Sequence, residues 1–310
     1  MRTYLSLVLV MAFWGSAFAS SKLAVHEVPP AVAAFLRFGI GAAVLLAVRR
    51  FPHLPRREVV SVAGLGLVGV FGYNVLFFLA LTLAPSADGS VIVPVTAPVI
   101  TVVVTAILGR RRPSRRTVAG LLLAGAGAAT FLAGIPAGGG HRLAGDLVFM
   151  AGAGCWAAYT ILGAPVLRRL PPFTVTAYAA AAGALAIGLL AAPSLGRVGW
   201  SELSAGFWLN QAYLGVLPTA LAYVMYYAAV RTVGPATAAS AMFLVPAFGL
   251  ACSWLLLGES ITPVQAVGSV PLLAGAWLAR TTARRVAPGE IEPGESRVSA
   301  AERADRSGAR

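Results

Sequence analysis

The stretch WGSAFASSKLAVHEVPP, Trp14 to Pro30, has a counterpart 142 residues on, WAAYTILGAPVLRRLPP, Trp156 to Pro172. In both copies a proline pair opens the next apolar run, and Gly41 and Gly183 keep the same offset. Further along, Tyr73 and Pro85 recur as Tyr223 and Pro235, now 150 residues apart. The chain therefore reads as one apolar unit written twice. If each copy crosses a membrane an odd number of times, the two must lie in opposite orientations.

Composition supports the membrane. Of 310 residues, 58% are hydrophobic and 11% charged, and the mean hydropathy is +0.80. A soluble domain carries about a quarter charged residues. Here the charges gather between apolar runs, so the runs face lipid or one another. A net charge of +13 raises nucleic acid as a partner, but no basic stripe with interleaved aromatics accompanies it. The asymmetry of loop charge accounts for the excess better.

Several chemistries are excluded. Cys155 and Cys252 lie within apolar runs, and His26, His53 and His141 stand apart in connecting segments, so neither a disulfide framework nor a metal site is expected. There is no GxxxxGK[ST] phosphate loop and no Ser-His-Asp or His–carboxylate cluster. The connecting segments are too short for a soluble catalytic domain. The expectation is a non-enzyme without cofactor or metal. Arg2, the run from Leu5 and Ala17-Phe18-Ala19 imitate a cleaved signal peptide. The repeat argues for a retained first helix, since Trp14 matches Trp156 in the body of the chain.

Runs of about 18–24 apolar residues are long enough to cross the hydrocarbon. They fall near 4–24, 31–48, 60–83, 89–108 and 117–134, then near 145–165, 173–192, 207–230, 236–257 and 262–280. The expected fold is an all-α membrane protein of ten transmembrane helices in two inverted five-helix repeats. The first repeat occupies 1–136 and the second 145–280, joined by an external linker at 137–144. Residues 281–310 form a polar cytoplasmic tail, read as disordered with no assigned role. With a cytoplasmic N-terminus, 20 of the 24 basic residues fall on the inner side. Outside lie Lys22, Arg142 and Arg197, with Arg37 inside a helix. Both ends are therefore expected in the cytoplasm.

Arg37 is the sharpest candidate. It lies seven residues into the second run, roughly 10 Å along the helix. An arginine at the centre of a spanning helix costs about 2.5–3.5 kcal/mol, so it should face a wet cavity or a partner. Three roles stand open: an anchor for a substrate carboxylate or other anion, a snorkelling surface residue, or a structural donor to helix carbonyls. Trp14, Tyr73, Asn74, Trp156 and Tyr223 are the other candidate substrate-binding residues, the two tyrosines by virtue of their repeat relation. Lys22 reads as an interfacial anchor or a vestibule residue, and Asp88 as a helix N-cap. Each acid outside the tail lies at or near a helix end, so no carboxylate relay is visible at mid-membrane and coupling stays open. Pro94 and Pro98 should interrupt the fourth helix, Pro218 the eighth and Pro246 the ninth. The pair Pro98 and Pro246 is the candidate gate or helix break. Ala119-Gly120, Ala124-Gly125 and Gly127-Ala128 read as a close-packing face.

Trp14-Gly15, Lys22, Pro29-Pro30 and Arg37-Phe38 in the first half are joined in the second by Pro235, Pro246, Leu257-Gly258-Glu259 and a glycine-rich closing helix. In that order, from about Tyr4 to Arg280, the chain resembles EamA-type members of the drug/metabolite transporter superfamily. Gly109-Arg110 departs from the Gly-Glu form that the second half keeps at Gly258-Glu259, and Ala179 stands where Arg37 does. The resemblance implies a ten-helix carrier of a bacterial inner (plasma) membrane with a central cavity. It also implies amino acids or related metabolites as substrates, often moved outward. The leading expectation is a secondary transporter exporting a small polar or amphipathic metabolite by alternating access about a midplane cavity. Its partners are that solute and the lipid bilayer, not nucleic acid, and the sequence leaves its oligomeric state open. A multidrug efflux carrier and a non-transporting membrane sensor or scaffold are the alternatives.

Overall fold

A computed structural model describes residues 2–48, 53–109, 114–134, 140–259 and 262–279. Among these every regular element is helical. The helices are α1 (Arg2–Glu27), α2 (Pro30–Val48), α3 (Arg56–Leu83), α4 (Ser86–Leu108) and α5 (Arg115–Ala133). Then come α6 (Gly140–Leu167), α7 (Pro172–Leu195), α8 (Ala205–Val233), α9 (Pro235–Leu257) and α10 (Pro263–Ala279). Proline, which lacks an N–H that the first turn would leave unpaired, opens α2, α7, α9 and α10. Ser204 caps α8 by accepting from Phe207 N at 3.1 Å. Gly234, at φ 83°, makes the turn from α8 to α9, a conformation other residues rarely hold.

Eight of these helices, α1–α4 and α6–α9, are long and apolar enough to cross a membrane. Large apolar side chains such as Leu189, Leu209 and Leu255 lie exposed on the outside, as a surface solvated by lipid tails requires. The chain is an integral, multi-pass membrane protein. The other two helices, α5 and α10, pack against each other along their length. The small-residue face expected in the fifth run lies at that contact. A β-carbon on Gly127 would stand 2.3 Å from Leu272 N, so the two backbones touch.

The remaining packing follows an exchange rule. α1 packs on α8 and α9, and α6 packs on α3 and α4. α2 packs on α8, and α7 on α3. α2 and α7 meet each other, as α5 and α10 do. Every contact maps onto another when each helix is replaced by the one five places along. Both α3 and α8 also leave the α-helical path over seven residues, running as π-helix at Gly66–Gly72 and Gly215–Leu221. The glycines of these segments make matching contacts. A β-carbon on Gly215 would meet Arg37 O at 3.0 Å, and one on Gly66 would meet Ala179 O at 2.3 Å. Likewise Gly41 lies against Thr219 and Gly183 against Val70.

The prolines behave less uniformly than the sequence suggests. α4 stays α-helical through Pro94 and Pro98. Pro218 lies within the π-helical segment of α8, where the hydrogen-bond ladder is already shifted. In α9 the irregularity is a 3₁₀ stretch, Ala241–Leu244, and Pro246 follows in the first turn of the next α-helical segment, where it removes no needed bond. The stretch read as a linker is partly helical, since α6 starts at Gly140. The rest of it at 137–139, and the tail at 281–310, lie outside the described residues.

Charged groups sort to the two ends of the bundle. At one, Arg142 grips the buried Asp88 through Nε and Nη2 at 2.7 and 2.8 Å. Lys22 donates to the backbone carbonyls of Leu81 and, at 3.1 Å, Ala84 at the C-terminus of α3, where a cation is favoured. Glu259 accepts from Ser86 N, Ser86 Oγ and Ala87 N at 2.9–3.1 Å. Glu259, arriving from beyond α9, thus caps α4, while Asp88 caps nothing and forms an ion pair. At the other end Arg169 pairs with Glu58 at 2.9 and 3.1 Å, and these hydrogen bonds hold its guanidinium above its ordinary pKa.

Candidate functional site

α1, α2, α3, α4, α6, α8 and α9 form a partly open cavity of about 30 Å³ lined by residues that include Trp14, Phe18, Arg37, Tyr73, Phe77, Pro94, Trp156, Tyr223, Met242 and Val245. That volume holds about two water molecules. The walls are aromatic because the repeat delivers a tryptophan from α1 and one from α6, while α3 and α8 add Tyr73 and Tyr223, whose spacing of 150 is one residue longer than the 149 at which Gly66 and Gly215 correspond. Trp14 and Trp156 meet edge to face, with ring centroids 4.9 Å apart. Tyr223 stands edge-on to both, at 5.8 and 5.3 Å. Tyr73 leans on Trp156 at 5.2 Å. Edge-to-face pairs of this kind contribute about 0.5–1.5 kcal/mol each beyond the area they bury, so the chamber is a stiff cage.

Arg37 supplies its charge. The residue is only 4% exposed, which removes snorkelling as its role. Its Nε donates to Thr219 Oγ1 at 2.9 Å, and one terminal nitrogen donates to Ser21 Oγ at 3.3 Å. The guanidinium lies over the rings of Phe38 and Phe77, 5.2 and 6.0 Å from their centroids. Among the described residues no carboxylate pairs with it. Two of five donors are used. A buried cation held by neutral groups alone attracts an anion.

Five of the six residues read as substrate-binding, namely Arg37, Trp14, Tyr73, Trp156 and Tyr223, line this one cavity. Asn74 does not. It is wholly buried, its Nδ2 donates to Val70 O at 2.9 Å within the π-helical segment, and its Oδ1 has no hydrogen-bond partner. Pro98 and Pro246 are not among the lining residues, which on those two helices are Val93, Pro94, Met242 and Val245. Sequence reading missed Thr219, which carries no repeat signal because its counterpart is Val70. It also missed the Trp14 Nε1 bond to Pro218 O at 3.0 Å, which ties α1 to the irregular turn of α8.

A buried cation in an aromatic chamber, inside a membrane bundle whose helices lose regularity around it, is the arrangement a membrane transporter needs. The chain belongs to the EamA-like transporter family, whose profile matches residues 1–133 and again 143–281. It is 26% identical over 283 residues to the uncharacterized transporter YyaM of Bacillus subtilis (strain 168), covering 88% of this chain and 91% of that one. It is 29% identical over 288 residues to a probable terminal-alkyne amino-acid exporter of Streptantibioticus cattleyicolor, covering 90% and 94%. To the aromatic amino acid exporter YddG of Ancylobacter novellus it is 32% identical over 206 residues, covering 63% and 68%. A solved crystal structure superimposes with a TM-score of 0.68 at 25% identity, over 92% of this chain and 99% of that one.

Proposed function

We propose that this transporter exports a small metabolite bearing a carboxylate, an amino acid or a close relative, by alternating access about the Arg37 cavity. The observation that carries the reading is a buried arginine without an acidic partner among the described residues, set in aromatic walls. The carboxylate would take the free guanidinium donors, and an apolar side chain would lie against the rings. The cavity as it stands is too small for such a solute. Entry therefore needs the halves to move, and the π-helical segments, Gly215–Leu221 beside Arg37 and Gly66–Gly72 beside Ala179, are where α8 and α3 would yield. Outward transport is favoured by the names of three relatives, the two exporters above and a probable amino-acid metabolite efflux pump of Salmonella typhimurium, 26% identical over 280 residues.

In this reading the chain has ten crossings in two inverted repeats, 1–136 and 145–280, with a linker at 137–144 outside. Both ends, including the tail at 281–310, face the cytoplasm from a bacterial inner membrane. The exchange rule in the helix packing and the twofold match of the family profile support it. The Asp88, Lys22 and Glu259 contacts then close the outer end, and Glu58–Arg169 the inner.

Proteoliposomes loaded with labelled L-phenylalanine test the carboxylate role. Arg37→Ala should insert normally yet lose at least tenfold in transport rate, since charge-assisted hydrogen bonds are worth about 1.5–3 kcal/mol. Transport unchanged by Arg37→Ala removes the residue from the mechanism.

A further inference from the structure

Gln211 of α8 is wholly buried, and neither its Oε1 nor its Nε2 has a hydrogen-bond partner. A primary amide brings two donors and an acceptor oxygen, and burying all of them unpaired is destabilising. Packing does not call for it. Val62 precedes Gly66 by four residues as Gln211 precedes Gly215, and Val62 is also wholly buried. The slot accepts an aliphatic side chain in one half of the molecule and holds an amide in the other.

Neighbours fix where that amide lies. Asn210, the residue before it, donates from Nδ2 to Ser20 O of α1 at 2.9 Å. One turn further on, Gly215 lies against Arg37 O of α2. Gln211 therefore lies on the stretch of α8 that packs on both α1 and α2, next to the Asn210 bond to Ser20, and the following Ser21 accepts from the Arg37 guanidinium. Arg37, Thr219 and Gln211 are polar where their counterparts are Ala179, Val70 and Val62. Three departures from the repeat thus gather at one helix junction.

We infer that Gln211 is the amine-side subsite of the carrier. Its Oε1 accepts from the α-ammonium of a zwitterionic amino acid whose carboxylate is held by Arg37. Gln211 does not line the cavity as it stands. The π-helical segment Gly215–Leu221 runs between it and the cavity residue Tyr223, so movement of α8 on opening completes the site. Unpaired in this structure, the amide is satisfied when substrate arrives. The inference rests on the carboxylate role proposed for Arg37.

The test uses the full chain in detergent and two ligands that differ by one amine, L-phenylalanine and 3-phenylpropionate, with affinities from calorimetry. The parent should bind phenylalanine about tenfold more tightly, the effect of one hydrogen bond to a charged group. Gln211→Leu and Gln211→Val should lose that preference, with phenylpropionate affinity unchanged and melting no lower than the parent. Amine preference kept by both variants would mean that Gln211 holds only a water, and would overturn the inference alone. So would a parent that binds the two equally or binds neither, or variants that fail to fold. Arg37→Ala should lose both ligands. Should it bind both as the parent does, the carboxylate role falls first.

Discussion

The helix pairs α2–α8 and α7–α3 meet through matching glycines, yet at the matching positions one junction is polar and the other apolar. Around Gly215 the junction holds Arg37, Thr219 and Gln211. Around Gly66 it holds Ala179, Val70 and Val62. The closest approaches to the two glycines differ too, 2.6 Å to an isoleucine methyl at Gly215 against 2.3 Å to a backbone carbonyl at Gly66. Ile40 Cβ at 2.7 Å and Arg37 O at 3.0 Å also bound Gly215, so both junctions are close and the Gly66 one is the closer. Duplication thus supplies the scaffold twice, while the chemistry occupies one copy, and the second copy is free to become a rigid abutment. A carrier that recognises an asymmetric solute needs this, because two identical anchors would bind it in two opposed poses.

Exchanging the anchor between the junctions should give the largest effect. Ala179→Arg places a guanidinium where Val70 offers no hydroxyl and Ala179 is wholly buried. The insertion cost of about 2.5–3.5 kcal/mol then stands without the hydrogen bonds that offset it at Arg37. The variant is expected to yield little monodisperse protein on size-exclusion chromatography, whereas Arg37→Ala should purify and melt close to the parent. Equal yields from both would mean that the junctions do not differ as the contacts indicate.

A smaller effect separates the two glycines. Gly66→Ala drives a β-carbon against the Ala179 carbonyl, and overpacking of this kind costs about 1–3 kcal/mol. Gly215→Ala meets the Ile40 Cγ2 and Cβ at 2.6 and 2.7 Å and Arg37 O at 3.0 Å, contacts slightly longer than the 2.3 Å to the Ala179 carbonyl. Melting in detergent should fall clearly for Gly66→Ala and less for Gly215→Ala. The reverse order would make the Arg37 junction the stiffer one.

Much of this was legible because repeats and charge report directly on the physics of a membrane. Trp14 and Trp156, and Tyr73 and Tyr223, were found by their spacing, and they converge on one cavity. Arg37 was found because a cation within an apolar run needs a reason. The backbone irregularities were harder to read. Proline marks a missing donor, but α4 absorbs two of them without leaving the α-helix. The matched π-helical segments contain one proline between them, Pro218, so the signal there lay in glycine packing across helices. Thr219 and Gln211 were hidden for a related reason. A polar residue whose repeat counterpart is valine looks like ordinary divergence until burial is known. The Asp88 reading erred through competition, because Glu259, remote in sequence, reaches the α4 N-terminus and leaves Asp88 to Arg142.

The two tryptophans carry the comparison down to a single hydrogen bond. Trp14 Nε1 donates to Pro218 O, a carbonyl within the irregular turn of α8. Trp156 Nε1 leans toward the Tyr226 hydroxyl without a hydrogen bond of normal geometry. Replacing either indole by phenylalanine removes similar apolar bulk and the same N–H, so the cavity terms nearly cancel in the difference. What remains is one buried bond lost in Trp14→Phe, with Pro218 O left unpaired, and none lost in Trp156→Phe. Trp14→Phe should therefore be the less stable of the two by about 1 kcal/mol, read as the gap between their melting curves in one detergent. A gap of zero would mean that the Pro218 carbonyl finds another donor, and that the cage grips α8 no more firmly from α1 than from α6.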